Sequence, residues 1–271
     1  MVAELAGGTM DFKQVVGRRR SIRFFERDRP VEREKIQTIL EAARLASCAV
    51  NAHWLRAIVV ERDRLPQEKL DAMKTPVSAL NIELAPLHIY FYCDLGVVNR
   101  VQGARLKELV DVGALAPTHG WSRKFVDEFV YPQILKPMTE SSAYPVAAAA
   151  DCGIAICQAL LTCYDEGLGA CMSAFNPAIA KEMFNPPDDW IPLYVMLVGY
   201  PAESWEAGGQ RPRPNFEELY YDAEYGTPFR RDPAVVEKLT QAGMIQRPAT
   251  PNNQERIAEI RRLAERLGLP I

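Results

Sequence analysis

Helical and strand-like segments alternate along this chain, and that alternation is the feature that most constrains its fold. Apolar residues at helical spacing predict helices over Val31–Ser47, Val146–Asp165, Pro177–Phe184 and Gln254–Leu267. Short apolar runs bounded by proline or glycine predict strands at Leu55–Val60, Leu87–Cys93, Ala170–Phe175 and Leu193–Val198. The pattern indicates a layered architecture in which helices cover a sheet.

A dense group of arginines stands near the start of the chain, at Arg18, Arg19, Arg20 and Arg23, with the hydroxyl of Ser21 among them. Planar guanidinium groups suit the paired oxygens of a phosphate. A solvated basic turn or a nucleic-acid patch would also bring arginines together. Because the whole chain has a formal net charge of -3, the basic character is local. It favours one small anionic ligand and argues against nucleic acid as a partner.

Cysteine and histidine patterns predict no metal site. The six cysteines include no C-x-x-C pair, and only three histidines are present. We therefore expect reduced thiols in the core. The longest apolar run, Val146–Ile156, contains Asp151, so we expect no membrane span. The first ten residues lack the features of a signal peptide, and we expect a cytoplasmic protein.

Several catalytic signatures are missing from the sequence. It contains no G-x-S-x-G, no Walker-type loop and no G-x-G-x-x-G, since Gly167-Leu168-Gly169 leads into a strand. A chain without an obvious nucleophile or metal can still catalyse a reaction if a cofactor supplies the chemistry. The arginine group would then hold that cofactor.

Four motifs, in order and at fitting spacing, resemble those of the nitroreductase family of flavin mononucleotide (FMN) oxidoreductases. Arg19-Arg20-Ser21-Ile22-Arg23-Phe24 resembles the first family segment, and Ser47–Leu55 resembles in part its Pro-Ser-Ala-x-Asn-x-Gln-Pro-Trp turn. Glu166–Cys171 resembles the Glu-Leu-Gly-Leu-Gly signature, and Val198–Pro201 resembles Gly-Tyr-Pro. The resemblance implies an α+β fold, with a mixed β-sheet flanked by helices in an intertwined homodimer.

The same resemblance implies roles for individual residues. Arg19, Arg20 and Ser21 would hold the FMN phosphate and ribityl chain, and Arg211 or Arg213 would close the phosphate site. Arg23 would stand near the flavin N1/O2 edge, where a cation stabilises the reduced ring. A backbone N–H near Ser173 or Ala174 would face flavin N5, and the turn carrying Cys48, Asn51 and His53 would contact the cofactor, with Asn51 reaching the ring from the partner subunit.

The chain departs from the family pattern in the turn, where Ser47-Cys48 replaces Pro-Ser, His53 replaces Gln, and Trp54-Leu55 replaces Pro-Trp. His53 either substitutes for Gln as a hydrogen-bond donor or supplies a proton to the acceptor. Three aromatic residues at four-residue spacing form either a packing face or a substrate pocket. They are Trp121, Phe125 and Phe129.

We expect an FMN-binding domain over residues 11–214 with a lid-like insertion at about 100–145, and an extension at 215–271 that packs on the partner subunit. The predicted activity is hydride transfer from NAD(P)H through FMN to a nitroaromatic, quinone or activated alkene by a ping-pong mechanism. Two alternatives stay open within flavin chemistry: an enzyme dedicated to one metabolite, by reductive dehalogenation, ene reduction or substrate oxidation, and a non-catalytic FMN-binding protein. A basic-patch interaction protein without flavin is a third.

Overall fold

The computed structural model describes residues 11–269, so the expectation about the first ten residues lies outside it. Four antiparallel strands form one open sheet in the order β1-β2-β4-β3. The strands are β1 (Leu55–Glu61), β2 (Leu87–Asp94), β3 (Gly169–Ser173) and β4 (Trp190–Gly199). A mixed sheet was expected. Among the described residues, the parallel pairing at this sheet is a single isolated bridge, between Ser21 and Ala170 of β3. Thus β1 and β3 are the two opposite edges.

Helices cover both faces of this sheet. Those that precede β2 are α1 (Phe12–Arg18), α2 (Arg33–Arg44), α3 (Gln67–Met73) and α4 (Ala79–Leu84). Between β2 and β3 lie α5 (Val97–Val101), α6 (Ala104–Asp111), α7 (Arg123–Phe125), a π-helix (Val126–Leu135), α8 (Lys136–Thr139) and α9 (Tyr144–Asp165). The later helices are α10 (Pro177–Phe184), α11 (Phe216–Leu219), α12 (Pro233–Gln241) and α13 (Gln254–Leu267). Short 3₁₀ turns occur at Ala49–Asn51, Arg62–Arg64 and Pro117–His119.

The predicted helices and strands are confirmed, with boundaries moved by a few residues. Polar caps explain the sharpest boundaries: the Asn176 side chain accepts from the amides of Ala178 and Ile179 where α10 begins. Asn253 accepts from the amide of Arg256 where α13 begins. Each cap satisfies a backbone donor that the first helical turn leaves without a partner.

The apolar helix α9 corrects the expectation that no segment reaches membrane-span length, because its 22 residues are apolar enough to do so. One face is buried against the sheet and α2 through residues such as Ala155, Ile156 and Ala159. The helix is therefore a core element of this fold. Its other face is exposed, with Val146 at 73% and Ile154 at 46% exposure, so the helix presents an apolar surface as well.

Cys157 also departs from expectation, because it is exposed on α9, whereas Cys93, Cys152, Cys163 and Cys171 are buried. All six cysteines are free thiols. The exposed position follows from the helical period, which places residue 157 on the same outward face as residue 154.

The insertion and the extension both pack on their own chain. Val126 and Val130 of the π-helix join a cluster that contains Trp54, next to the start of β1. From α13, Leu263 joins the cluster around Phe25. This face of α13 is therefore occupied within the chain, whereas an earlier part of the extension keeps aromatic side chains exposed, namely Tyr220, Tyr221, Tyr225 and Phe229.

Candidate functional site

The arginine segment lies alongside the edge strand β3. The Ile22 amide donates to the Ala170 carbonyl oxygen at 3.1 Å, and Ile22 is fully buried. The bridged backbone is extended, and successive side chains of extended backbone point in opposite directions. Ile22 therefore enters the core, while Ser21 and Arg23 point away from it. The sequence around Ser21 thus fixes basic groups at one edge of the sheet.

Four arginines lie within electrostatic range of Cys171 on β3 or of one another, namely Arg19, Arg23, Arg211 and Arg213. Burial raises the pKa of the Cys171 thiol, and the charges of Arg23, Arg19 and Arg211 oppose that rise. Burial lowers the pKa of Arg19, with a further contribution from Arg213. Among residues 11–269, no carboxylate lies within 4.0 Å of these four guanidinium groups. Cations with no carboxylate at ion-pair distance are suited to binding an anion.

Arg20 is the buried arginine of this segment. Its side chain is only 2% exposed, and Nη1 donates to the Gly17 carbonyl oxygen at 2.7 Å. Nη2 contacts Glu206 at 3.4 Å and also bonds Gln246. The Arg20 guanidinium therefore ties the arginine segment to the C-terminal extension through Nη2, while its buried Nε has no hydrogen-bond partner among the described residues.

Ser173 and Ala174 follow shortly after Cys171 in the chain. Ser173 ends β3 opposite Val195 and is half-buried, whereas Ala174 lies just past the strand and is exposed. The strand therefore runs from the arginine group toward these two residues, the direction in which a phosphate-bearing ligand would extend along the edge of the sheet.

The second half of the candidate site is the turn Ser47–Trp54, which holds three non-glycine residues in the left-handed backbone region. Their φ angles are 49° at Val50, 52° at Asn51 and 53° at His53. Each such residue costs about 1–3 kcal/mol unless its surroundings fix it. Strain of this kind is common in sites that hold a ligand.

Side chains from three elements hold this strained turn. Asp151 of α9 accepts from the Ala49 amide at 2.6 Å. Cys48 Sγ accepts from the His53 amide at 3.1 Å, so this thiol supports the turn from inside. Arg56 Nη1 donates to the His53 carbonyl oxygen at 2.6 Å, and buried Asp94 pairs with Arg56 at 2.7 Å.

The His53 ring bonds within the turn. Its Nε2 lies 2.8 Å from Asn51 Oδ1, an acceptor, so Nε2 carries the hydrogen and donates it. Burial lowers the pKa of His53, and the charges of Arg105 and Arg56 lower it further. The neutral imidazole is therefore the favoured form at pH 7, and it fixes the side chain of Asn51.

A cavity of about 360 Å³ opens beside this turn, between α2, β1, α6 and α9. Its size falls within the range of small-molecule pockets. Polar and apolar groups share the lining, which includes Arg44, Ser47, Cys48, His53, Arg56, Arg105, Asp151 and Cys152. The turn and the cavity together provide a place for an organic molecule next to His53.

The insertion aromatics form a ladder on the surface. Phe125 stacks on Phe129 with ring centroids 5.4 Å apart, and Trp121 meets Phe125 edge-on at 5.8 Å. They do not line the 360 Å³ cavity. Because Val126 and Val130 anchor the same segment beside Trp54, the ladder stands at the turn side of the molecule.

The two halves of the site stand at opposite edges of one protomer's sheet. The turn leads into β1, and the arginine segment bridges to β3, with β2 and β4 between them. Three strand spacings correspond to about 14 Å. The two halves are therefore separated by the width of the sheet within one protomer.

Two residues near the arginine group were not singled out by the sequence. Buried Glu203 accepts from the amides of Arg23 and Phe24, and Arg256 of α13 pairs with it. They are far apart in the chain and match no motif. A buried ion pair between distant residues leaves no local pattern in a single sequence.

Comparison with known proteins finds one family. The nitroreductase family matches residues 16–86 and 135–200, about half of the chain. A relative from Methanothermobacter thermautotrophicus (strain Delta H), named as an NADH dehydrogenase/NAD(P)H nitroreductase, is 28% identical over 200 residues, which cover 72% of this chain and 80% of the relative. Most of the insertion and all residues after 200 lie outside the matched family segments.

Two solved structures share the fold. A nitroreductase in complex with FMN from Exiguobacterium sibiricum 255-15 is 21% identical, with a TM-score of 0.60 over 78% of this chain and 96% of that chain. An enone reductase of a gut-bacterial fatty acid saturation metabolism is 17% identical, with a TM-score of 0.62 over 79% of this chain and 98% of that chain. Likeness at these identities shows a common fold.

Proposed function

The chain belongs to the nitroreductase family, and on that premise we propose that it is an FMN-dependent NAD(P)H oxidoreductase acting on an electron-poor organic acceptor. The observation that carries the proposal is the group of four arginines beside β3 with no carboxylate within 4.0 Å among the described residues. Nitroaromatics, quinones and activated alkenes are the acceptor classes that such chemistry serves.

The arginine group fits a phosphate monoester. Arg19, Arg23, Arg211 and Arg213 would hold it, with the Ser21 hydroxyl as a neutral donor. When bound, FMN supplies hydride transfer between the nicotinamide and the acceptor, which occupy the same site in turn. This proposal places Arg23 at the phosphate, and not at the flavin N1/O2 edge that the resemblance implies, because Arg23 lies within electrostatic range of Arg211.

The working unit that we propose is a homodimer. In one protomer the arginine group and the Ser47–Trp54 turn stand at opposite edges of the sheet, so a partner would supply the missing half of each site. The exposed apolar face of α9, with Val146 and Ile154, is available for that contact. Small residues on this face, such as Ala147, Ala150 and Gly153, would allow close approach of a second helix.

The turn residues would shape the acceptor side of the site. His53 holds the Asn51 side chain, and both stand in a strained backbone fixed by Asp151 and Arg56. A rigid donor set of this kind orients a bound molecule without rearrangement during the reaction. The aromatic ladder Trp121, Phe125 and Phe129 would cover the acceptor as part of a lid.

The spectrum of the purified protein tests this proposal. We expect bound flavin absorption that NAD(P)H bleaches under anaerobic conditions and that a quinone such as menadione restores. Flavin that binds but does not respond to NAD(P)H would indicate a passive flavin-binding protein. A colourless protein that cannot be reconstituted with FMN would contradict the proposal, whereas bleaching without restoration by a panel of general acceptors would favour an enzyme dedicated to one metabolite.

A further inference from the structure

A buried carboxylate lies directly beneath the arginine segment. Glu203 has a fully buried side chain, and its Oε1 accepts from the Arg23 amide at 2.5 Å and from the Phe24 amide at 3.0 Å. These two bonds fix the backbone that carries Arg23. The carboxylate is therefore part of the support of the anion site, although it has the same charge as the ligand.

The positive partner of Glu203 comes from the C-terminal extension. Arg256, near the start of α13, pairs with Oε2 of Glu203, and its Nη1 also bonds Glu259 at 2.7 Å. Gly208 leaves room for this side chain, because a Cβ there would lie 3.2 Å from Arg256 Cγ. The pair thus connects residue 256 to the backbone of residues 23 and 24.

Glu203 also interacts with the arginines of the anion site. Burial lowers the pKa of Arg211, the charges of Arg23 and Arg256 lower it further, and the charge of Glu203 raises it. All four groups are therefore close enough to influence one another. If Arg256 were removed, the buried carboxylate would turn to Arg211 and Arg23, since an unpaired buried charge is costly.

We propose that Arg256 is a positioning residue of the cofactor site: it neutralises Glu203 and so keeps Arg23 and Arg211 available for the phosphate of FMN. This inference rests on the proposed function. It assigns part of the cofactor site to the C-terminal extension, which lies outside the family segments matched by this chain. Arg256 acts through Glu203 and the arginine segment and need not touch FMN.

Riboflavin provides the decisive comparison, because it has the same ring and ribityl chain as FMN but no phosphate. We expect Arg256→Met to weaken FMN binding about tenfold or more, while riboflavin affinity changes by less than about twofold. Apoprotein titrated with each flavin, with fluorescence quenching as the readout, gives both constants. Arg261→Met is the matched control, since Arg261 is exposed on the same helix, and it should change neither constant.

A second pair of variants keeps the test meaningful if Arg256→Met folds poorly. Glu203→Gln keeps an acceptor for the Arg23 and Phe24 amides and removes the charge. In the double variant with Arg256→Met, FMN affinity should return to within about threefold of wild type. Glu203→Gln alone should leave FMN affinity as in wild type or increase it. Arg256 then no longer pairs with a charged partner at residue 203 and adds positive charge near the site.

Three results would overturn the inference: equal loss of FMN and riboflavin affinity in Arg256→Met, no loss of either, or failure of the double variant to recover FMN binding. Equal loss would mean that Arg256 supports the fold in general. Wild-type protein that binds neither flavin would refute the proposed function itself, and the inference with it, and so is distinguishable from the other results.

Discussion

A Cβ atom on Gly169 would lie 2.8 Å from Cβ of Ile22, so the arginine segment reaches β3 only because residue 169 has no side chain. Real Cβ atoms do not approach so closely. The absence of one atom therefore sets the distance between the segment that carries Arg19 and Arg23 and the strand that leads to Ser173.

Gly169→Ala should push the arginine segment away from β3. We expect a loss of about 1–3 kcal/mol in the free energy of unfolding, the usual range for overpacking, together with weaker FMN binding. Urea unfolding and flavin titration measure the two effects. Lys238→Ala on α12 is the control, because its side chain is exposed and alanine favours a helix. Equal behaviour of the two variants would contradict the close approach.

His88 should make the fold sensitive to acid. Burial lowers its pKa to about 4, and Nε2 donates to the carbonyl oxygens of Ile82 and Ala85. A lowered histidine pKa means that the unfolded chain takes up the proton first. The contribution of neutral His88 to the free energy of unfolding is complete above about pH 6.5. It is lost as the pH falls toward 4, by about 3 kcal/mol in total.

Urea unfolding at pH 7 and pH 4.5 tests this effect. Carboxylates contribute to the pH dependence of every variant, so the difference between wild type and His88→Gln isolates the histidine. Wild type should lose more stability than His88→Gln over this range. His119→Gln, at an exposed position, should behave like wild type. Identical pH dependence in wild type and His88→Gln would show that folding does not shift the pKa of His88.

His53→Gln should leave both half-reactions within about threefold of wild type, because Gln can also donate to Asn51 Oδ1 and the His53 imidazole is neutral at pH 7. Stopped-flow absorbance resolves reduction by NAD(P)H and reoxidation by the acceptor. Selective slowing of reoxidation, by about a hundredfold, with loss of its pH dependence below about pH 6.5, would instead identify His53 as a proton donor.

Much of the architecture could be predicted from local sequence. Helices α10 and α13 begin after the capping residues Asn176 and Asn253, as the sequence indicates. The strands follow their apolar runs. Two features could not. The π-helix at Val126–Leu135 contains Pro132, which by pattern ends a helix, and Val50 takes a left-handed conformation that β-branched residues rarely adopt.

The candidate site could be predicted only in part, because some of its contacts join residues that are far apart in the sequence. The arginine segment and the distant Arg211 and Arg213 were recognised by their motif, and the structure does bring them together. The inward direction of Arg20 depends on Gln246, and the neutralisation of Glu203 depends on Arg256. Contacts across such sequence distances are set by tertiary packing, which composition and spacing do not record.

Ile154→Asp should weaken the proposed homodimer. Residue 154 is exposed on α9, so the substitution barely affects one protomer but places a charge in an apolar contact. We expect sedimentation velocity to show monomer at micromolar concentration, with loss of FMN because the partner's turn is absent. Val112→Asp, at an exposed position in the insertion, is the control and should stay dimeric. Wild-type monomer that retains FMN would contradict the shared site.

Flavin titration of Arg211→Met beside Arg20→Met tests the central claim most directly, because the two arginines bond to adjacent residues, Ala207 and Glu206, but Arg20 is buried and Arg211 is only half-buried. Arg211→Met should weaken FMN binding about tenfold or more, since a bond to a charged group is lost, and should leave riboflavin affinity unchanged. Arg20→Met should lower thermal stability and leave the ratio of FMN to riboflavin affinity as in wild type. Unchanged FMN affinity in Arg211→Met, or a phosphate-specific loss confined to Arg20→Met, would contradict the assignment of the four outward arginines as the phosphate site.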